Sequence, residues 1–186
     1  RSAADDPQTA QEIIAAVVER FQKNNIGCTL KHFPGYGANL DTHTGISVDN
    51  RDIEQFRSAD FLPFEAGIEA GAEAVMMSHN IVTCMDDTLP VSLSPAAHEL
   101  LREELGFTGV IITDDLAMEA LAQYADDKGA LAVMAVKAGN DLLCTDTYEE
   151  EIPAVIEAVK NGEISENQIN ASVLRVLEMK LKLGII

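Results

Sequence analysis

Four short apolar runs alternate with longer amphipathic segments along the chain, and each run ends in polar residues. The runs cover residues 28–32, 74–79, 109–115 and 141–146. Apolar runs of this length, separated by helical segments, are typical of parallel strands whose faces are covered by helices. The pattern therefore predicts an α/β fold with one amino-terminal helix and four strand–loop–helix units.

Apolar residues at helical spacing and recognisable end signals define the segments between the runs. In the first segment Ile13 and Val17 fall on one face, and Asp6 before Pro7 supplies a start signal. Pro63 predicts a bend in the second long helix, because proline removes a helical hydrogen bond. The predicted helices cover residues 7–25, 52–70, 94–105, 128–138, 148–161 and 165–183, with a shorter helical turn at 116–124.

Polar side chains mark the carboxyl end of each predicted strand, namely His32, His79, Asp114 and Asp146. Parallel α/β folds place their chemistry at this end, so these residues outline a candidate site. Four strand–helix units are half of an eight-stranded barrel, and a half barrel on its own would have two unpaired sheet edges. We therefore expect the missing half upstream in the natural protein or on another chain.

Composition and charge narrow the classes of partner. The chain has 31 acidic and 13 basic residues, a formal net charge of −18, and no tryptophan. Phosphate backbones would be repelled and aromatic stacking platforms are scarce, so nucleic acid is not an expected partner. No apolar run reaches membrane-spanning length, so we expect no membrane insertion. Three cysteines without paired spacing do not support structural zinc, and we expect no cofactor.

The loop after the first predicted strand carries the candidate chemistry. Among glycines and a proline it places Lys31, His32, Asp41 and His43. A core does not need this composition, and a solvated linker rarely has it. One hypothesis is a metal-dependent hydrolase in which the two loop histidines converge with His79 and Asp114 on one ion. No His-x-His or His-x-x-x-His spacing supports this hypothesis.

Three motifs follow one another along the chain: Lys31-His32-Phe33-Pro34-Gly35, Asp41-Thr42-His43, and Thr113-Asp114-Asp115-Leu116 at the end of the third run. Together they resemble glycoside hydrolase family 3, with supporting matches at residues 105–109, 138–141 and 175–177. The resemblance covers essentially the whole chain. It implies a TIM-like (β/α) barrel, of which residues 1–186 form a single segment that supplies about the last four strand–helix units. It also implies a carbohydrate substrate.

Retaining glycoside hydrolysis needs a nucleophile and a group that transfers the proton. The resemblance assigns the nucleophile to Asp114, with Asp115 as its neighbour, and the proton transfer to His43, which Asp41 orients. Imidazole titrates near neutrality, so a histidine suits the second role. From the residues alone, Asp114 or Asp115 could instead cap the following helix, and the Asp41–His43 pair could be surface polar residues.

The candidate sugar-binding residues are Lys31, His32, Arg1, His79 and Met118. Lys31 and His32 match hydroxyl-binding residues of the family. Arg1 stands where the family has a sugar-contacting arginine, but an alanine pair follows where the family has Phe-Gly. His79 could face the site or be a core histidine, and Met118 could line the pocket or pack in the core.

Three functional hypotheses follow. The first is a retaining β-N-acetylglucosaminidase that acts on cell-wall or peptidoglycan-type sugars, the activity that the closest branch of the family implies. The second is the metal-dependent hydrolase. The third is a half barrel that binds but does not turn over without its amino-terminal half. The residues leave open whether water or phosphate accepts the sugar.

Overall fold

The computed structural model describes residues 3–36 and 45–186. In chain order its elements are α1 (Pro7–Gln22), β1 (Thr29–Phe33), β2 (Val48–Asp49), α2 (Ile53–Gln55), α3 (Phe61–Glu69), β3 (Ala74–Met77), β4 (Ile81–Val82), α4 (Pro95–Glu99), β5 (Val110–Asp115), α5 (Lys128–Ala138), β6 (Leu142–Cys144), α6 (Tyr148–Lys160) and α7 (Glu166–Lys182). The predictions for Arg1, Asp41 and His43 lie outside the described residues.

The main sheet contains four parallel strands in the order β1–β3–β5–β6. These strands are the four apolar runs of the sequence, so the predicted arrangement of strands and helices is confirmed. A second, two-stranded parallel sheet of β2 and β4 was not predicted. Because neighbouring strands of the main sheet run the same way, their carboxyl ends meet at one edge.

Aromatic packing fixes the carboxyl end of β1. The ring of Phe33 is fully buried, stacks on Phe61 with centroids 5.7 Å apart, and meets Phe64 edge-on at 5.3 Å. Aromatic pairs of this kind add about 0.5–1.5 kcal/mol each to the stabilisation from burial. The point at which the chain leaves β1 for the loop of predicted chemistry is therefore rigidly held by the core.

The predicted helix over 52–70 contains a wide turn rather than a bend centred on Pro63. A π-helical turn at Phe56–Asp60 separates α2 from α3, and Pro63 lies in the first turn of α3. Proline has no N–H and its ring crowds the carbonyl group four residues earlier, which here belongs to Ala59. The wider turn just before Pro63 accommodates that ring while the helix continues.

Two buried carboxylates join elements at the amino ends of the strands. Glu73, just before β3, accepts hydrogen bonds from Gln22 Nε2 at 2.6 Å and from the Cys28 amide at 3.1 Å. The Lys182 ammonium lies 3.0 Å from the same carboxylate and also donates to the carbonyl oxygen of Gly71. Glu73 thus connects α1, β1 and the end of α7.

The second carboxylate is that of Asp141, just before β6, whose side chain is fully buried. It accepts from Arg102 at 2.7 Å, Arg175 at 2.9 Å, Ser172 Oγ at 2.7 Å and the Ile111 amide at 2.9 Å. We call these five residues the Asp141 cluster. It ties α7 and the turn after α4 to the start of β5.

The outer strands of the four-stranded sheet, β1 and β6, each pair on one side only within that sheet. Exposed apolar side chains occur on α1 at Val17 and Phe21, and on α6 at Ile152 and Ile156. No helix in the described part of the chain is both long and apolar enough to cross a bilayer.

Candidate active site

The carboxyl end of the sheet brings Asp114 of β5 and His32 of β1 together. Asp114 Oδ2 lies 3.4 Å from His32 Nε2, and the two side chains are only 15% and 10% exposed. Asp114 Oδ1 accepts a hydrogen bond from the Asp115 amide at 2.9 Å. Two residues 82 positions apart in the sequence, which the motifs assigned to one site, are therefore close in space.

Both residues lie at irregularities of the strand ladder. In β1, Lys31 pairs with Met76 and Phe33 with Met77, so His32 is an extra residue. In β5, the pairing with β6 also shifts between Ile112 and Asp115, the interval that contains Asp114. Bulges re-aim side chains and are common next to active sites, which gives a physical reason why these two side chains converge.

The Thr113 side chain accepts a hydrogen bond from β6 next to Asp114, where the backbone pairing is irregular. The Cys144 amide of β6 donates to Thr113 Oγ1 at 2.9 Å. Thr113 is fully buried, so an amide without this partner would carry the desolvation cost of a buried donor. The threonine hydroxyl therefore satisfies the neighbouring strand where the shift in β5 disrupts regular pairing.

The capping role that was open to either aspartate belongs to Asp115. Its Oδ1 accepts from the Ala117 amide at 2.9 Å and so closes the turn that follows β5. The Asp114 carboxylate instead faces His32, and the ring of His32 meets Tyr36 edge-on with centroids 5.3 Å apart. The two adjacent carboxylates therefore have different tasks in the fold.

His79 is buried in the fold, which favours the core-histidine alternative, and its predicted contact with the sugar stays a prediction. Its side chain is fully buried, with Nδ1 2.7 Å from Ser92 Oγ and Nε2 2.9 Å from the carbonyl oxygen of Asp115. The segment Val91–Leu93 covers it, since the Ser92 amide donates to the carbonyl oxygen of Ser78. Burial lowers the pKa of His79, against the opposing influence of the nearby carboxylates.

Lys31 and Met118 occupy the rim of the same end of the sheet. Lys31 is exposed in β1, and Met118 is half-buried just after β5. A cavity of about 590 Å³ runs along the open side of β1 and includes Lys31, His32 and Tyr36 in its lining. Asp114 is not among its lining residues, and much of the lining comes from α1, including Val17 and Phe21. The predicted sugar-binding roles of Lys31 and Met118 stay predictions.

An arginine with two carboxylates supports the start of the loop, and the sequence pattern did not reveal it. Arg51 contacts Asp49 at 2.8 Å and Asp60 at 2.7 Å, and its guanidinium lies 4.2 Å above the Phe56 ring. Gly35 packs directly on Asp60: a Cβ at Gly35 would lie 2.4 Å from Asp60 Oδ1, and its φ is +119°. Both conditions require glycine at this position.

Within residues 3–36 and 45–186, no three histidine, cysteine, aspartate or glutamate side chains form a group that could hold a metal ion. Of the four residues in the metal hypothesis, His79 has both ring nitrogens engaged in hydrogen bonds. The described residues therefore do not favour a metal centre at this edge of the sheet.

Comparison with known proteins gives these residues a context. The profile of the glycosyl hydrolase family 3 N-terminal domain matches residues 1–179. A β-hexosaminidase of Stenotrophomonas maltophilia is 43% identical over 122 residues, which are 64% of this chain and 36% of that protein. The chain thus spans about a third of the length of this curated relative.

Solved structures agree with this relationship. A glycoside hydrolase family 3 β-N-acetylglucosaminidase from a Paenibacillus species superposes with a TM-score of 0.92 at 33% identity, covering 99% of this chain and 36% of the other. A β-glucoside phosphorylase superposes with a TM-score of 0.87 at 27% identity, covering 97% and 34%. These likenesses confirm the predicted fold class. The chain belongs to the glycosyl hydrolase family 3 N-terminal domain family, as its motifs predicted.

Proposed function

We propose that the complete protein is a retaining glycoside hydrolase that removes terminal β-linked N-acetylglucosamine from cell-wall or peptidoglycan-type sugars. The observation that carries the reaction class is the Asp114 carboxylate, held at the carboxyl end of β5 with His32 3.4 Å away. The hexosaminidase and β-N-acetylglucosaminidase names of the similar proteins support the substrate class.

The first step forms a covalent glycosyl-enzyme. A carboxylate oxygen of Asp114 bonds to the anomeric carbon while the bond from that carbon to the leaving oxygen breaks. His43 gives its proton to the leaving oxygen, and Asp41 orients the imidazole. In the second step His43 takes a proton from water, the water oxygen bonds to the anomeric carbon, and the Asp114 ester opens. Two inversions leave the anomeric configuration retained.

His32 and Lys31 hold the sugar in this scheme. His32 stands beside the nucleophile and offers its ring to a sugar hydroxyl, and Lys31 donates from the rim. Because the Asp41–His43 pair lies outside the described residues, its role rests on the motif.

The chain supplies one part of the complete site. The two unpaired outer strands, the exposed apolar residues of α1 and α6, and the greater length of the relatives all support a barrel completed by further chain. We propose that residues 1–186 are the second half of this barrel. Residues 1–186 expressed alone should be inactive or should associate; a stable, active monomer would contradict the half-barrel assignment.

Phosphate is the alternative acceptor in the second step, and the likeness to a β-glucoside phosphorylase favours testing it. A histidine shuttle places no second carboxylate beside an incoming anion. Incubation of enzyme and substrate in phosphate buffer separates the two: a glycosyl phosphate indicates phosphorolysis, and free sugar alone indicates hydrolysis.

The central experiment changes Asp114 to Asn in the complete protein. The amide cannot form the ester, so hydrolysis of a chromogenic β-N-acetylglucosaminide should fall by at least about 10⁴-fold, in the range seen when a nucleophile is removed. Asp126→Asn, the same change at an exposed carboxylate, is the matched control and should keep full activity. Turnover of Asp114→Asn within about tenfold of wild type would refute the nucleophile assignment.

A further inference from the structure

A buried path of polar groups leads from the interior of the fold to Asp114. Asn140 Nδ2 donates to the carbonyl oxygens of Ser92 at 2.8 Å and Ala135 at 2.7 Å. Ser92 Oγ lies 2.7 Å from His79 Nδ1, and His79 Nε2 lies 2.9 Å from the carbonyl oxygen of Asp115. Asn140, Ser92 and His79 are all buried, so water does not compete for these bonds.

The acceptor at the end of the path determines where the protons lie. A carbonyl oxygen can only accept, so His79 Nε2 must carry the hydrogen that points to Asp115. Burial lowers the pKa of His79, which favours the neutral ring. In that neutral form Nδ1 is an acceptor, and the Ser92 hydroxyl donates to it. His79 is therefore held as a single tautomer by partners on both sides.

The side chain of His79 bonds to β5 at a point where the backbone of β3 no longer pairs with it. The pairing of β3 with β5 runs one to one through Met76–Ile112 and Met77–Thr113, where β3 ends. Continued at this register, the residue opposite Asp115 would be His79. Its backbone is no longer in the strand, and its side chain makes the hydrogen bond to Asp115 instead.

The backbone of Asp115 connects this bond to the predicted nucleophile through two successive peptide groups, because its carbonyl oxygen belongs to the peptide group that follows Asp115 and its amide to the one that precedes it. Its carbonyl oxygen also accepts from the Met118 amide at 3.1 Å, and its own amide donates to Asp114 Oδ1 at 2.9 Å. The Leu116 amide of the peptide group that follows Asp115 donates to the carbonyl oxygen of Cys144 at 2.9 Å, so His79 is one of three hydrogen-bond partners that hold this group. An oriented Asp115 therefore fixes the direction from which the Asp114 carboxylate is held.

We propose that His79 is a positioning residue for the nucleophile: it fixes the Asp115 peptide and, through it, the orientation of the Asp114 carboxylate. The inference rests on the proposed role of Asp114. His79 does not touch the sugar. Without its Nε2–H donor, the peptide group after Asp115 keeps only its bonds to Met118 and Cys144, so the Asp115 backbone can shift and the Asp114 carboxylate loses alignment with the anomeric carbon. Misplacement of a reacting group by about 1 Å can lower a rate about 100-fold.

The test compares two amides at position 79 in the complete protein. The amide nitrogen of Gln reaches the place of Nε2, whereas that of Asn reaches only the place of Nδ1. We expect His79→Asn to lower kcat roughly 10–100-fold with KM within about twofold, because the substrate contacts remain. His79→Gln should recover kcat to within about fivefold of wild type. Thermal unfolding of both variants separates folding losses from kinetic ones.

Ser92→Ala tests the same path with the imidazole in place. It removes the donor to Nδ1 and loosens the tautomer, so kcat should fall about 3–10-fold with unchanged KM. If both position-79 variants fail to fold, Ser92→Ala alone tests whether His79 positions the nucleophile, and an unchanged kcat would then overturn the inference.

The kinetic outcomes separate the inference from the proposed function. Equal kcat values for His79→Asn and His79→Gln would overturn the positioning role, and so would a raised KM with unchanged kcat, which indicates contact with the sugar. A wild-type protein without glycosidase activity would overturn the proposed function and this inference together. An active wild type that loses activity on Asp114→Asn keeps the function whatever position 79 shows.

Discussion

The Asp141 cluster offers a measurement that separates stability from chemistry. Changing Asp141 to Asn keeps the size of the side chain but removes the negative charge between Arg102 and Arg175. It also turns one acceptor oxygen into an amide donor that faces cationic or N–H donors. In the wild type Oδ2 accepts from Arg102 and the Ile111 amide and Oδ1 from Arg175 and the Ser172 hydroxyl, so the single amide oxygen can keep only one of these two pairs.

The size of the effect follows from the burial of the cluster. Asp141 is fully buried, whereas Arg102 and Arg175 are 18% and 32% exposed, so water can partly solvate the two guanidinium groups after the change. A hydrogen bond to a charged group contributes about 1.5–3 kcal/mol, and breaking a buried ion pair costs about 3–5 kcal/mol. Partial exposure of the arginines places the expected loss near the lower end, at about 3 kcal/mol.

Urea and thermal unfolding of the complete protein measure this loss. About 3 kcal/mol lowers Tm by roughly 6–12 °C in a folding unit of 150–250 residues, and the shift in the larger complete protein should be smaller because its unfolding entropy is larger. Lys160→Ala is the control, because it breaks the Glu157–Lys160 pair, whose side chains are 61% and 67% exposed, and should leave Tm unchanged. Ser172→Ala removes one neutral donor of the cluster and should fall between the two.

The kinetic constants of Asp141→Asn give the second half of the test. The cluster lies at the amino end of β5 and the proposed nucleophile Asp114 at its carboxyl end, so kcat and KM of the folded variant should stay within about twofold of wild type. Two results would refute the reasoning: a loss of stability below about 0.5 kcal/mol, or a tenfold loss of kcat well below the Tm of the variant.

Four further predictions follow from the site and its supports. Gly35→Ala should lower kcat at least about tenfold, because its Cβ would meet Asp60. The control Gly162→Ala, at a φ of +78° but with open space around the Cβ, should lower stability only, and equal kcat values for the two variants would contradict the prediction. Although burial raises the pKa of Glu73, hydrogen bonds from Gln22, the Cys28 amide and Lys182 outweigh it and hold that pKa below its ordinary value. The stabilisation by Glu73 is therefore present above its unfolded-state pKa and lost as the pH falls through the lower folded-state value. Glu73→Gln should flatten the acid side of a Tm–pH profile, and an unchanged profile would contradict this role of Glu73. His43→Ala should slow a natural glycoside at least about tenfold more than an aryl glycoside with a good leaving group, and equal losses would argue against the proton-transfer role. A chelator should leave glycosidase activity unchanged, and loss of activity that Zn²⁺ restores would support the metal hypothesis.

The sequence predicted the fold best where the signal was periodic. The apolar runs located all four strands of the main sheet, and α5 has the predicted limits at Lys128 and Ala138. The β2–β4 pair escaped prediction because two-residue strands have no period to detect. The π-helical turn at Phe56–Asp60 escaped prediction because the spacing of apolar residues does not distinguish it from an α-helix, and Pro63 indicated only an irregularity in this segment.

The structure brings some of the predicted site residues together and buries another, and the difference has a physical cause. A polar residue at a strand end indicates the site only if its side chain turns toward the opening. Asp114 does, but His79 comes two residues after β3 ends and turns inward beneath Ser92. Arg51 was missed because its carboxylate partners, Asp49 and Asp60, come together only after the chain folds around Phe56.

The motifs at 138–141 and 175–177 matched the family before their purpose was visible. In the structure Asn140 bonds Ser92 beneath His79, and Asp141 pairs with Arg175. Each motif therefore supplies residues for contacts between parts of the chain that are distant in sequence.

Lys182 bears on where the boundary of this domain should be drawn for protein engineering. The family match ends at residue 179, whereas α7 continues to Lys182, whose ammonium contacts both Glu73 and the carbonyl oxygen of Gly71. A chain cut at residue 179 would keep every family motif but leave Glu73 buried without its cation. A chain designed by homology alone would thus lose a contact that joins α7 to the turn before β3, so the boundary belongs after the end of α7.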